Sequence, residues 1–100
     1  MQLPKPGRLY CLVPFCRCSV QADKFPGVTQ VICAKHWRLV HRDLKARYRQ
    51  LKRRRAKVWR WTYGPKVNRP NPGLFALIDG ALDRHWERCK ADAIERSAGI

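Results

Sequence analysis

Acidic residues are scarce in this chain: seven Asp and Glu stand against 22 Lys and Arg, giving a net charge of +15 over 100 residues. An imbalance of that size opposes compaction through self-repulsion and favours polyanionic partners. Nucleic acid is the first candidate and an anionic membrane surface the second. Long apolar runs are also missing. No stretch of about 18 apolar residues occurs, so no helix is expected to span a bilayer. Residues 1–6 hold neither an apolar core nor a small-residue cleavage site, so a secretory leader is not expected and the cytoplasm is the default compartment. There is no glycine-rich phosphate loop, no Ser/His/Asp order, no pair of carboxylates in a cleft-like context and no internal repeat. A non-enzymatic protein is therefore expected. A metal-dependent nuclease would have to draw its general base from His41 and Asp43, the only candidates near the cysteines.

Cysteine is present in an odd number, five. An odd count, in a chain where no leader is expected, argues for metal ligation rather than a paired disulfide framework. The spacing supports this. Cys11 and Cys16 form C-x4-C, sixteen residues follow, and Cys33 and His36 form C-x2-H. Residues three apart on the first turn of a helix share one face. Zinc takes sulfur and nitrogen ligands in a tetrahedron, and the second pair has to come from a separate turn. Pro14 suits a tight reversal between Cys11 and Cys16. Cys18 is also within reach of one ion shared with Cys11, although Cys-x-Cys pairs chelate one ion less comfortably than the Cys11–Cys16 pair. One structural Zn2+ is expected. A chain this short buries a modest fraction of its surface, so a metal staple has much to contribute.

Residues 1–8 read as a mobile lead, and 9–61 as a zinc finger plus basic helix. A short strand is expected over 9–13 and an irregular hairpin over 20–33. That hairpin has a type II turn at Phe25, Pro26, Gly27 and Val28 and a β-branched strand at 28–32. From Ala34 to about Trp61 helix formers run without Pro or Gly, with room for a local break near His41. Val40, Leu44, Tyr48 and Leu51 recur at helical spacing. Residues 62–73 are loop, and Asn71 with Pro72 suits the start of a new helix. That helix is expected over 74–97, with Phe75, Ile78, Leu82, Trp86, Cys89 and Ala93 on its apolar face. His41 and His85 are expected at the surface or on a helix face, and Cys89 in the core. The last helix carries Asp79, Asp83, Glu87, Asp92 and Glu95. Residues 35–69 carry fourteen Lys or Arg and one Asp. The two helices are therefore expected to pack antiparallel, their apolar faces supplying most of the docking.

The cations of the long helix are interleaved with aromatics. Arg42, Lys45, Arg49, Lys52, Arg53, Arg54, Arg55, Lys57 and Arg60 are candidate phosphate contacts, and Trp59 and Trp61 candidate stacking partners for bases. The alternative is that Trp59 and Trp61 cover the joint between helices, while Trp37 and Tyr48 belong to the core. No set of side chains matches a base-reading code, so binding driven by shape and charge is expected, to DNA or RNA alike.

The element Cys33-Ala34-Lys35-His36-Trp37-Arg38-Leu39-Val40 resembles one found in short bacteriophage and prophage zinc-finger-like proteins. There a cysteine pair, a turn and a C-x-x-H-W element precede a basic helix. The resemblance covers roughly residues 10–55, and such relatives often carry Pro where this chain has His41. It implies Cys11, Cys16, Cys33 and His36 as ligands and a mobile-element origin, and assigns no activity. The expected fold is mostly α with a small β-hairpin: a treble-clef-like Cys3His zinc finger, a long basic helix and a C-terminal amphipathic helix. The expected function is nucleic-acid binding by a phage accessory or regulatory factor. The alternative is an interaction module that docks on an acidic surface of a host protein, such as part of the transcription or replication machinery.

Overall fold

The computed structural model describes residues 7–66 and 70–99. It is mostly helical, with a two-stranded antiparallel hairpin. None of the described helices is long and apolar enough to cross a membrane. The elements are β1 (Arg8–Tyr10), β2 (Ser19–Gln21), a 3-10 turn (Ala22–Lys24), α1 (Ala34–Trp37), α2 (Arg42–Tyr63) and α3 (Pro72–Ser97). The expected lead over 1–8 lies outside the described residues up to position 6, and β1 begins at Arg8.

The described residues divide into two compact units. One runs to Val40 and includes the end of α3 from Lys90 onward; the other is His41–Cys89.

In the first unit, β1 pairs with β2 in the register Arg8↔Gln21, Leu9↔Val20, Tyr10↔Ser19. Arg8 Nε donates to Ser19 Oγ at 2.8 Å, and the Cys11 N–H donates to the Cys18 carbonyl at 2.9 Å. The hairpin therefore lies earlier in the chain than residues 20–33. The segment 28–32 makes one parallel bridge, Cys11↔Val31, with Leu12 N–H on the Val31 carbonyl at 2.9 Å. It does not extend into a strand. Beyond Leu12 the neighbouring chain turns at Val13–Cys16, and Pro14 has no N–H to offer a ladder. The turn at Phe25 is present: Val28 N–H reaches the Phe25 carbonyl at 3.1 Å, and Gly27 supplies the positive φ of 80° that a type II turn requires. The buried apolar set of this unit is small: Cys11, Val13, Val40 and, from α3, Ala93.

The helical stretch from Ala34 is two helices, broken near His41 where the sequence left room for a break. α1 makes one turn, and Leu39 and Val40 donate to carbonyls three residues back. α2 then restarts at Arg42 with His41 as its cap, the imidazole Nδ1 accepting from Asp43 N–H at 3.1 Å. Asp43 in the first turn adds favourable charge at that end.

In the second unit α2 and α3 run antiparallel. Tyr48 meets Trp86 at a centroid distance of 5.8 Å, Arg55 meets Asp79, and Tyr63 meets Phe75 edge-on at 5.6 Å. Partner numbers thus rise along α3 as they fall along α2. Leu51, Val58 and Ile78 are buried between them. The helix–helix connection is fixed by side chains. Asn71 Oδ1 accepts from Leu74 N–H at 3.0 Å, capping α3 with Pro72 in its first position. Thr62 Oγ1 accepts from Asn71 N–H at 3.0 Å. His85, expected at the surface or on a helix face, lies on α3 and is buried. Its Nε2–H donates to the Leu44 carbonyl at 2.7 Å, and the carbonyl, which only accepts, fixes the tautomer. Cys89 is fully buried, its thiol directed at the same carbonyl at 3.8 Å.

Candidate metal centre and cationic helix

Cys11 leaves β1 at the bridge to Val31, which fixes its backbone on both sides. The chain then reverses at Val13–Cys16, closed by Cys16 N–H on the Val13 carbonyl at 3.1 Å. Pro14 presets the first corner, and Phe15 takes the second with φ of 66°. That left-handed conformation costs a bulky L-residue roughly 1–2 kcal/mol. Cys33 sits at the N-terminal boundary of α1 in an extended conformation, and His36 follows within the turn.

These segments bring four side chains together. The ligand atoms of Cys11, Cys16, Cys33 and His36 lie within 4.8 Å of one another. Cys16 Sγ and Cys33 Sγ are 3.7 Å apart, Cys11 Sγ and His36 Nδ1 3.7 Å, and Cys33 Sγ and His36 Nδ1 3.1 Å. Zinc bonds of about 2.3 Å to sulfur and about 2.05 Å to nitrogen give tetrahedral edges of roughly 3.8 Å between sulfurs and roughly 3.5 Å between sulfur and nitrogen. Two of these edges lie close to those values, the Cys33–His36 edge is about 0.4 Å shorter, and the set as a whole is compact enough to hold a four-coordinate metal ion. Cys33 N–H donates to Cys11 Sγ at 3.3 Å, an outer contact of the kind that steadies a thiolate ligand. Cys18 lies outside the cluster, with its side chain exposed. The spacing left Cys16 and Cys18 open, and the turn at Val13–Cys16 decides between them.

The three thiols are electrostatically unlike. Burial pushes Cys11 up, and burial likewise raises Cys16. At Cys33 burial also resists charge, but hydrogen bonds from the His36 backbone and ring and from the thiols of Cys16 and Cys11 outweigh it, and its pKa falls to about 6. Those hydrogen bonds exist only while the cluster is assembled. If the unit is unfolded without its ion, all three thiols have ordinary pKa values of about 8.5, and loading at neutral pH is expected to release about three protons. Calorimetry in buffers of different ionisation enthalpy reads the number directly, and a value near two would show that the cluster is assembled, with Cys33 already ionised, before loading.

The candidate nucleic-acid residues fall on different sides of α2. Arg42, Arg49, Arg53 and Arg60 are exposed and lie within about 40° of one another around the helix axis, opposite Leu51 and Val58. The row is about 27 Å long. Lys57 flanks it, stacked over the Trp61 ring at 5.3 Å, and Lys45 lies half-buried on its other side. Lys52 is exposed and sits over the Tyr48 ring at 5.5 Å. Arg54 is exposed away from the row. Arg55 points the other way, toward α3. Its Nε is 2.6 Å from Asp79 Oδ1, and its guanidinium sits 5.0 Å from the Phe75 centroid. That pair is about two-fifths exposed on each side, so it contributes about 1 kcal/mol or less. Trp59 and Tyr63 are exposed and in tilted contact, with centroids 6.4 Å apart, whereas Trp61 and Trp37 are half-buried.

No known family model matches this chain, and no curated protein or solved structure shows significant similarity to it.

The functional reading therefore rests on residues alone. Arg55 belongs to the row of Leu51, Val58 and Thr62, a periodicity visible in the sequence that marks it as facing the partner helix. His41 is occupied as the cap of α2. Phe15 drew no notice in the sequence, because nothing in the residue types foretells a phenylalanine in left-handed backbone.

Proposed function

We propose that this chain is a zinc-stabilised, non-enzymatic protein that binds DNA or RNA through α2, a role suited to an accessory or regulatory factor of a phage or mobile element. The metal is read as zinc because three sulfurs and one imidazole gathered within 4.8 Å suit it. Four protein ligands leave no open coordination position, so the ion is structural. The order of knuckle, turn and helix that supplies them is that of a treble clef.

The observation that carries the nucleic-acid reading is the row Arg42, Arg49, Arg53 and Arg60 on the face of α2 turned away from α3. Within it Arg49 and Arg53 are like charges at i,i+4, which repel and are unfavourable for an isolated helix. A polyphosphate partner relieves that repulsion and is the ligand its spacing and sign suit best. The mobile-element role rests on the resemblance of the Cys33–His36–Trp37 element alone.

A gel-shift titration across salt concentrations tests the reading. If the row with Lys45 and Lys57 engages about six phosphates, log K against log salt is expected to fall with a slope near −5. Absence of any shift at about 50 mM salt would overturn nucleic-acid binding and favour docking on an acidic protein surface instead.

A further inference from the structure

The turn between the first two clustered cysteines carries an aromatic ring that the fold leaves unused. Phe15 is fully exposed, and its backbone is left-handed, a conformation that Gly or Asn adopts more readily. A single exposed apolar residue is ordinary on a protein surface. This one is held in disfavoured backbone one residue before a metal-binding cysteine, and it edges a groove of about 480 Å³. Cys16 and His36 line the same groove, so the metal cluster itself forms part of the wall. Its charged members are Arg17 and Lys35, both exposed, and no Asp or Glu is among the described residues that line it.

An aromatic face beside two cations, without a carboxylate, suits an occupant that is flat and apolar on one side and anionic on the other. An unpaired nucleobase with its flanking phosphates has that chemistry. An apolar peptide side chain would leave Arg17 and Lys35 unused, and an acidic peptide would leave Phe15 unused. Within a duplex the base faces are already stacked on one another and are not available.

We propose that the knuckle at Val13–Cys16 is a stacking site for an unpaired base, with Phe15 as the platform and Arg17 and Lys35 as phosphate contacts. This rests on the reading of the chain as a nucleic-acid binder, and it narrows the ligand class to single strands or loops. The metal centre then both staples the N-terminal unit and presents part of the binding surface.

The test uses the zinc-loaded full chain and two labelled probes followed by anisotropy. One is an oligothymidylate of about 12 nucleotides, within the span of one small binding module, and the other a duplex of the same length. The parent is expected to prefer the single strand. Phe15→Ala is expected to weaken single-strand binding about tenfold while duplex affinity stays within about twofold. Phe15→Gly should lose the same tenfold although glycine suits the turn, and should hold its metal against a chelator at least as well as the parent. That pairing separates stacking from folding. Phe15→Trp should keep the affinity and add fluorescence that the single strand quenches. If Phe15→Ala and Phe15→Gly bind the single strand as the parent does, or lose both probes equally, the stacking site is overturned and the role of α2 stands. If the parent binds neither probe at about 50 mM salt, both fall together.

Discussion

Removal of the metal is expected to unfold the N-terminal unit while leaving the α2–α3 pair helical. The unit to Val40 has few buried apolar side chains of its own, among the described residues Cys11, Val13 and Val40, with Ala93 added from α3. Two of these are small, and the hairpin has three paired residues per strand. Isolated hairpins of that size are marginal in water. A structural zinc contributes on the order of 10 kcal/mol at neutral pH, more than the rest of this unit can supply. Chelation, or Cys33→Ser, should therefore abolish amide protection at Cys11 and Leu12, whose N–H groups bond the Cys18 and Val31 carbonyls. Protection around Val58 and Ile78, in the other unit, should persist. Cys18→Ser is the control and should retain the ion, because Cys18 lies outside the cluster. Unchanged protection at Cys11 and Leu12 in a chelated, metal-free sample would show that the four side chains meet for some other reason.

The second large effect concerns the arginine row. Replacing Arg49, Arg53 and Arg60 together with Ala should lower affinity for a polynucleotide by on the order of 100-fold or more at about 0.15 M salt. It should also flatten the salt slope by about three, roughly one for each phosphate no longer neutralised. Stability should move in the opposite direction. All three are exposed, and Arg49 and Arg53 are like charges at i,i+4 whose repulsion disappears, so melting should hold or rise slightly. Weaker binding at undiminished stability is the signature of a surface that meets the ligand. If affinity and slope stay at the parent values, α2 does not meet the polynucleotide, whatever the charge suggests.

The parts of this molecule that follow from local chemistry were readable in the sequence. Cys33 and His36 three apart at the start of a helical stretch, with Cys11 and Cys16 on a proline turn upstream, are the four side chains that converge. Asn71 followed by Pro72 announced the start of α3, and the Phe25–Val28 turn announced its glycine. What required the folded chain is non-local. β1 takes β2 as its partner, while the β-branched segment after Gly27 gains one bridge, because the chain beside it turns at Val13–Cys16. The break before Arg42 falls near His41, where the sequence left room for one; the uncommon histidine cap that makes it was not legible, with Asp43 in the first turn the available clue. That His85 is buried rather than at the surface was not legible, because its acceptor is a backbone carbonyl of another helix, 41 residues away in sequence.

The helix α3 belongs to both units, with Cys89 the last residue of one and Lys90 the first of the other. During synthesis the cysteines and histidine of the cluster emerge from the ribosome early, yet the segment bearing Ala93 follows only after the whole of the second unit. The unit begun first is therefore completed second. A stop codon shortly after Cys89 would spare the helical pair while depriving the first unit of buried Ala93.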